Sequence, residues 1–253
     1  MAIAVISGAS SGLGKEYINA VIEQYPMVDE LWLIARRKEK LKDIAEQHRD
    51  KTVAAISLDL SKAESFDIFE KLLRENEPQI KVVINAAGYG QCATFFSSDR
   101  EKQAGMIDLN CRAMTTLTRL CLPYMIKESL VVNVSSRAAF MPMPRMCVCA
   151  TTKAYVTSFS KALRQELLPR GINVIAVCPG PMDTEFFDVA YEPEGVSKTL
   201  DSLPRVYAVD IAKKSLRAGI NKRSLYTKGF LYKFYHVISK ILPDNLLLKF
   251  IDI

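Results

Sequence analysis

Histidine is nearly absent from this chain: its 253 residues include two, His48 and His236. The six cysteines, Cys92, Cys111, Cys121, Cys147, Cys149 and Cys178, never fall in a Cys-x-x-Cys pair. A zinc centre draws on those residue types at close spacing, so no metal site is expected. Unpaired thiols in mostly apolar segments suit a reducing compartment. No run of about 18 apolar residues occurs, which argues against a spanning helix. Nor is there a Pro/Gly/Ser-rich tract, a low-complexity run or an internal repeat, so nothing reads as a linker, and a single domain over 1–253 is expected. The first apolar strand begins almost at Met1, leaving no room for a charged n-region and a cleavage site. A cytoplasmic chain is the expectation. The net charge is +6, but the basic clusters, Arg36-Arg37-Lys38 and Lys213-Lys214, are too short for the aromatic-laced basic stripe that binds nucleic acid. No nucleic-acid partner is expected.

What is present is alternation. Residues 2–7 (AIAVIS) are short, apolar and rich in β-branched side chains, which predicts a strand buried on both faces. Residues 12–25 follow as a helix with Tyr17, Ile18, Val21 and Ile22 on one side. Further strands are predicted at 31–35, 53–58, 82–85, 130–134 and 173–178, with a short last one at 224–227. Helices are predicted at 38–47, from a Ser61–Glu64 capping box to before Pro78, over 106–125, over 152–168 and from Asp210 to Arg217. Strands separated by helices imply right-handed crossovers. The expected fold is α/β: a three-layer Rossmann fold with a seven-stranded, mostly parallel, doubly wound sheet. Ligands of such sheets sit at the carboxyl ends of the strands, at the switch point.

The chemistry-bearing motifs fall at those ends. Directly after the first strand comes Ser7-Gly8-Ala9-Ser10-Ser11-Gly12-Leu13-Gly14-Lys15. Glycines there allow a tight turn and let the backbone approach a pyrophosphate without a β-carbon in the way. The helix that follows turns its N-terminus to the anion. Gly8, Ser10, Ser11, Gly12, Leu13 and Gly14 are therefore candidate dinucleotide contacts. The second strand ends Ala35-Arg36-Arg37. An acid at its end would bind a ribose 2′-hydroxyl and repel a 2′-phosphate; here the position carries Ala35. Arg36 and Arg37 suit the phosphate by charge and by their fork of donors, which points to NADP(H) rather than NAD(H).

With these motifs in place the chain resembles the short-chain dehydrogenase/reductase family over nearly its whole length. The resemblance implies that Asp59-Leu60 contacts the adenine. Asn85-Ala86-Ala87-Gly88 matches the family's N-N-A-G, with Ala86 for the second Asn. Asn110 matches the catalytic-site asparagine that holds a water in the proton relay, and Ser136 the serine that hydrogen-bonds the substrate oxygen. The 179–184 turn, through Pro179, Gly180, Met182 and Thr184, matches the segment that holds the nicotinamide carboxamide. Lys153 matches the lysine that binds the nicotinamide ribose and lowers the pKa of the catalytic phenol. The resemblance also implies a homodimer or homotetramer.

One position departs. The family's Tyr-x-x-x-Lys would put a tyrosine four residues before Lys153 and 13 after Ser136, and both counts land on Cys149. Tyr155 lies two residues after Lys153 and points elsewhere on the helix. The phenol protonates the carbonyl oxygen as hydride arrives, and a thiol on the same backbone falls short of that oxygen and donates poorly. The expected function is an NADP(H)-dependent oxidoreductase interconverting a carbonyl and an alcohol on an apolar small molecule, impaired or altered by Cys149. The alternative is a non-catalytic or redox-responsive NADP(H)-binding protein in which Lys153 favours the Cys149 thiolate. Residues 185–253 are expected to supply the substrate loop and a tail. Phe95, Phe96, Phe140, Met141, Met143, Met146, Phe186, Phe187 and Tyr191 are available to line an apolar pocket. The tail carries Lys228, Lys233, Lys240 and Lys249 among aromatics, and it is read as packing on its own domain or a neighbouring subunit rather than on a membrane surface.

Overall fold

The structure is a computed structural model that describes residues 1–185 and 205–248. Seven strands form one sheet: β1 (Ala2–Ser7), β2 (Val28–Ala35), β3 (Thr52–Ser57), β4 (Gln79–Asn85), β5 (Met125–Val134), β6 (Asn173–Val177) and β7 (Leu225–Tyr226). Their order is β3-β2-β1-β4-β5-β6-β7, and every neighbouring pair is parallel. The sheet is thus wholly rather than mostly parallel. The order reverses between β1 and β4, which opens a crevice at their carboxyl ends.

Successive strand residues face opposite sides, and both sides are dry. In β1, Ala4 and Ile6 join Tyr17, Ile18, Leu31, Leu33, Val132 and Ile211 in one core layer. Ile3 and Val5 join Trp32, Phe69, Val83, Leu117 and Leu163 in the other. On the first side lie α1 (Gly12–Gln24), α2 (Lys38–Gln47) and α7 (Ala208–Ile220). There the buried Tyr17 hydroxyl meets Ser215 Oγ at 2.6 Å, which satisfies the polar end of a ring otherwise deep in the core. On the second side lie α3 (Glu64–Asn76), α5 (Met114–Cys121) and α6 (Cys147–Leu167).

Three local expectations are corrected. The Ser61 capping box does not form: α3 starts at Glu64 without a side-chain cap, and Ser61 instead donates its N–H and hydroxyl to Asp59 at 3.0 and 2.7 Å. A short carboxylate two residues upstream closes a tighter ring than a hydroxyl three residues away. The long helix read over 106–125 is three pieces: α4 (Arg100–Ile107), a π-helical turn (Asp108–Ala113) and α5, with a 3₁₀ turn running into β5. The apolar run simply continues from helix to strand, and periodicity cannot mark that change. Finally, α6 begins at Cys147 rather than 152, so Cys149 sits in its first turn, one turn from Lys153 on the same face.

The tail forms α8 (Phe230–Ile241) and the short α9 (Asp244–Leu247). Tyr235 and His236 lay their rings on Phe140, with centroids 6.2 and 4.3 Å away. The inner face of α8 therefore packs on its own domain, while Phe234, Val237 and Ile241 are exposed on the outer side. No described helix is long and apolar enough to cross a membrane.

Candidate active site at the carboxyl ends of the parallel strands

The glycine-rich turn is built by close approach. Gly8 has φ +70°, and a β-carbon there would meet Ala87 N at 2.7 Å and Ala86 O at 2.8 Å. A β-carbon on Gly14 would drive into Gly8 O. The first turn of α1 is thereby pressed onto the end of β1. Ser11 starts α1 without a side-chain cap, and no acidic residue occupies the first turn, so the helix start keeps its positive end for an anion. Ser7 Oγ ties this turn to the next strand, accepting the Ala86 and Ala87 N–H groups at 3.2 and 3.3 Å and donating to Ile84 O. Leu13 is buried beneath the turn. These residues form a cradle that fits a dinucleotide pyrophosphate.

The strand end expected to meet the adenosine is basic. Arg37 donates from Nε and Nη2 to Ser10 Oγ at 3.1 and 3.0 Å, and from Nη1 to Glu185 at 2.6 Å. Arg36 is exposed on the same strand end. Burial works against the Asp59 charge, but the Ser61 bonds, with Arg36 and Lys62 nearby, outweigh it and hold the carboxyl below the usual range. Leu60 is buried beside it.

Asn85 turns inward. Its Nδ2 donates to Thr118 Oγ1 at 2.9 Å and to Asn133 Oδ1 at 2.8 Å, and Asn133 donates on to Ser160 at 2.9 Å. This buried ladder joins β4, β5, α5 and α6. Asn85 was expected to face the dinucleotide, but its amide is committed to this ladder inside the core; its partners Thr118, Asn133 and Ser160 lie outside the motifs read from sequence, and Asn133 within the apolar strand β5 was their one signal.

Asn110 lies in the π-helical turn, a form often found at functional sites. Its amide clasps the Tyr89 backbone from both ends, accepting Tyr89 N–H at 3.1 Å and donating to Tyr89 O at 2.9 Å. It also donates to Thr152 Oγ1 at 3.0 Å. Its side chain therefore fixes the turn after Gly88. At Gly88 a β-carbon would lie 2.6 Å from Asn110 Oδ1 and 3.5 Å from Lys153 Nζ, so three of the expected site residues converge there.

Lys153 is buried and donates to Val134 O at 3.1 Å. Burial pushes its pKa down. Ser135 is spoken for, bonding Lys153 O and Thr157 Oγ1 at 2.7 and 2.8 Å. Ser136 is half-buried, and its Oγ accepts Ala138 N–H at 3.2 Å, which leaves its own proton to donate. Cys149 is buried, and burial raises its thiol pKa against the pull of Lys153 and a bond from the Gln91 backbone. That direction favours a thiol over the thiolate that the redox-responsive reading requires.

The 179–184 turn closes the site. Pro179 O accepts Arg137 N–H at 3.1 Å, Gly180 is buried, Met182 packs on the core, and Thr184 lies 3.5 Å from where a β-carbon on Gly12 would sit. On the substrate side Phe140 and Met141 are buried, while Phe95 and Phe96 face solvent. Phe186, Phe187 and Tyr191 lie outside the described residues. A depression beside Phe95 is walled by Gln91, Met106, Arg145 and Val148, so polar groups enter a wall read from sequence as apolar. Among the described residues no cluster of His, Cys, Asp or Glu could hold a metal ion.

A family model described as "short chain dehydrogenase" matches residues 2–195. An uncharacterized oxidoreductase of Staphylococcus aureus (strain MW2) is 28% identical over 198 residues, covering 78% of this chain and 84% of that protein. A short-chain dehydrogenase from Sphingobium yanoikuyae, solved in complex with NADPH, superposes with TM-score 0.81 at 26% identity, covering 100% of this chain and 97% of that one. A short chain dehydrogenase/reductase from Burkholderia phymatum, solved in complex with NAD, has TM-score 0.80 at 18% identity over 98% of this chain and 94% of that one, a likeness of fold alone.

Proposed function

The chain belongs to the short chain dehydrogenase family of oxidoreductases, and on that premise we propose that it interconverts a carbonyl and an alcohol on an apolar small molecule with NADP(H), slowly, because Cys149 stands where the family's phenol would. The observation that carries this reading is the convergence of the glycine-rich turn, Ser136 and buried Lys153 at one end of the parallel sheet. A protein that only bound nucleotide would have use for Lys153 but none for Ser136.

The turn from Gly8 to Gly14 would hold the pyrophosphate, Arg36 and Arg37 the 2′-phosphate, and Lys153 with the 179–184 turn the nicotinamide half. When bound, the nicotinamide supplies or takes up the hydride. Ser136 donates its free hydroxyl proton to the substrate oxygen and orients the carbonyl. Lys153 holds an ammonium proton within the same pocket and polarises that oxygen. Asn110 positions Gly88 and Tyr89 and so keeps the floor of the pocket rigid. Cys149 is a poor donor with a short reach, so the proton comes from Lys153 rather than from position 149.

The half-buried Met143 and Met146 favour an apolar ketone or aldehyde over a charged sugar, whereas Phe140 is taken up by packing under Tyr235 and His236. The alternative reading, a dinucleotide-binding protein without turnover, is favoured by Cys149 itself, a buried thiol bonded by the Gln91 backbone. A cytoplasmic, single-domain homodimer or homotetramer completes the proposal, and sedimentation of the purified chain tests its assembly.

The deciding experiment follows NADPH consumption with a panel of apolar aldehydes and ketones, with NADH in parallel. The expected result is slow, NADPH-preferring turnover that Lys153→Ala abolishes, with the preference narrowed in Arg36→Ala/Arg37→Ala. Tight NADPH binding with no consumption across the panel would favour the alternative. Equal affinities for the two dinucleotides would overturn the cofactor assignment.

A further inference from the structure

Three of the five N–H groups of Arg37 are already engaged. Its Nε and Nη2 grip Ser10 Oγ, and a third N–H, on Nη1, is bonded to Glu185 Oε2 at 2.6 Å. The other oxygen of that carboxylate takes Lys40 Nζ at 2.9 Å, from the first turn of α2. One anion is thus held between two cations, one of them braced by a hydroxyl. A terminal phosphate is bound by the same chemistry. The anion arrives from far along the chain, on the residue after Thr184, which itself lies against Gly12 of the pyrophosphate turn. Two separate contacts therefore bring this segment across the adenosine half of the crevice.

We infer that Glu185 is a specificity-determining residue for the dinucleotide: its carboxylate occupies the 2′-phosphate site formed by Ser10, Arg37 and Lys40, competes with the 2′-phosphate of NADP(H), and leaves NAD(H) unopposed. The inference rests on the cofactor assignment above and adds Ser10 and Lys40 to the site. The competition has a physical basis on each side. The phosphate carries more charge and more acceptor oxygens than one carboxylate, so it can win. The carboxylate is tethered, so its effective concentration at the arginine is high, and NADP(H) must displace it on every encounter. NAD(H) carries a hydroxyl where NADP(H) carries the phosphate. A carboxylate at that position can accept from this hydroxyl, as the acid at the end of β2 does in other dinucleotide folds. The two half-exposed ion pairs are individually weak, which sets the scale of the effect.

The test is a calorimetric comparison of Glu185→Gln and Glu185→Ala with the parent, using NADPH, NADH and adenosine 2′,5′-bisphosphate as probes. The bisphosphate carries the 2′-phosphate and lacks the nicotinamide end. Losing two surface ion pairs should tighten NADPH and the bisphosphate on the order of two- to thirtyfold, with NADH within about twofold of the parent. Lys40→Ala should weaken NADPH and the bisphosphate and leave NADH unchanged. Unchanged or weaker NADPH binding in both Glu185 variants would overturn the inference, as would equal tightening of NADH, which would mean that the segment merely obstructs the crevice. Failure of the cofactor assignment is separately visible. A parent that binds NADPH and NADH alike, with an NADPH preference emerging only when Glu185 is neutralised, would refute that assignment for the native chain while supporting the role of Glu185.

Discussion

Replacing Cys149 with tyrosine asks whether the pocket is a hydride-transfer site that lacks one acid. Cys149 occupies the first turn of α6, one turn from Lys153, with the Gln91 N–H on its thiol. A phenol on that backbone would reach toward the oxygen that Ser136 holds. General acid catalysis is worth about 10²–10⁴-fold, and NADPH-dependent reduction should rise by that order if the parent has no efficient proton donor, and by less if Lys153 already serves well. The ring also has to fit a position that is 3% exposed. Overpacking costs about 1–3 kcal/mol, and losing the Gln91 bond about 1 kcal/mol more. For a domain of this size each kcal/mol lowers the melting temperature by roughly 2–4 °C, so a fall of about 4–16 °C is tolerable evidence of a strained but folded variant. The assay pairs steady-state NADPH consumption over a carbonyl panel with a thermal melt and an NADPH titration. Cys149→Phe supplies the bulk without the hydroxyl and should gain nothing. A folded, NADPH-binding tyrosine variant that reduces no carbonyl would refute the reasoning, as would a phenylalanine variant that gains equally.

Asn133→Ala breaks the buried ladder between Asn85 and Ser160 and should cost about 1–3 kcal/mol, read as a lower melting temperature with NADPH affinity nearly unchanged. Burial lowers the Lys153 pKa, so reductive turnover should fall with rising pH in a window below the ordinary lysine range. Stability should move the other way there: the folded state sheds the Lys153 proton before the unfolded state does, so unfolding becomes harder as pH rises through that window. If α8 is a packing or subunit element, the chain should fail to sediment with anionic liposomes; strong, salt-sensitive sedimentation would mark its exposed Phe234–Val237–Ile241 side as a membrane surface.

The sheet was legible because its strands are buried on both faces and read as unbroken apolar runs, and because Gly8 and Gly14 stand where only a bare backbone fits. Boundaries were lost where one apolar stretch passes from helix to strand, as from α5 into β5. Residue types at the site could be read from spacing, but side-chain direction could not. The pleat of β4 sends Asn85 into the core, and the π-helical turn commits the Asn110 amide to Tyr89. The clasp of Glu185 on Arg37 joins residues 148 apart in sequence, with no local pattern to announce it.

The sheet order also sets a timetable for the nascent chain. Of the strands of this sheet β1 is made first, yet it lies at the centre, between β2 and β4, and β4 ends only at Asn85. At ordinary synthesis rates its second edge waits several seconds for a partner. Through that interval an apolar strand has one open side, which is the circumstance in which chains associate wrongly. The adenosine half of the crevice can close as soon as β4 docks, well before Ser136, Lys153 and Glu185 have been made. Binding of an adenosine fragment to the young chain would then precede any competition from Glu185, and chaperone demand should be greatest before β4 emerges.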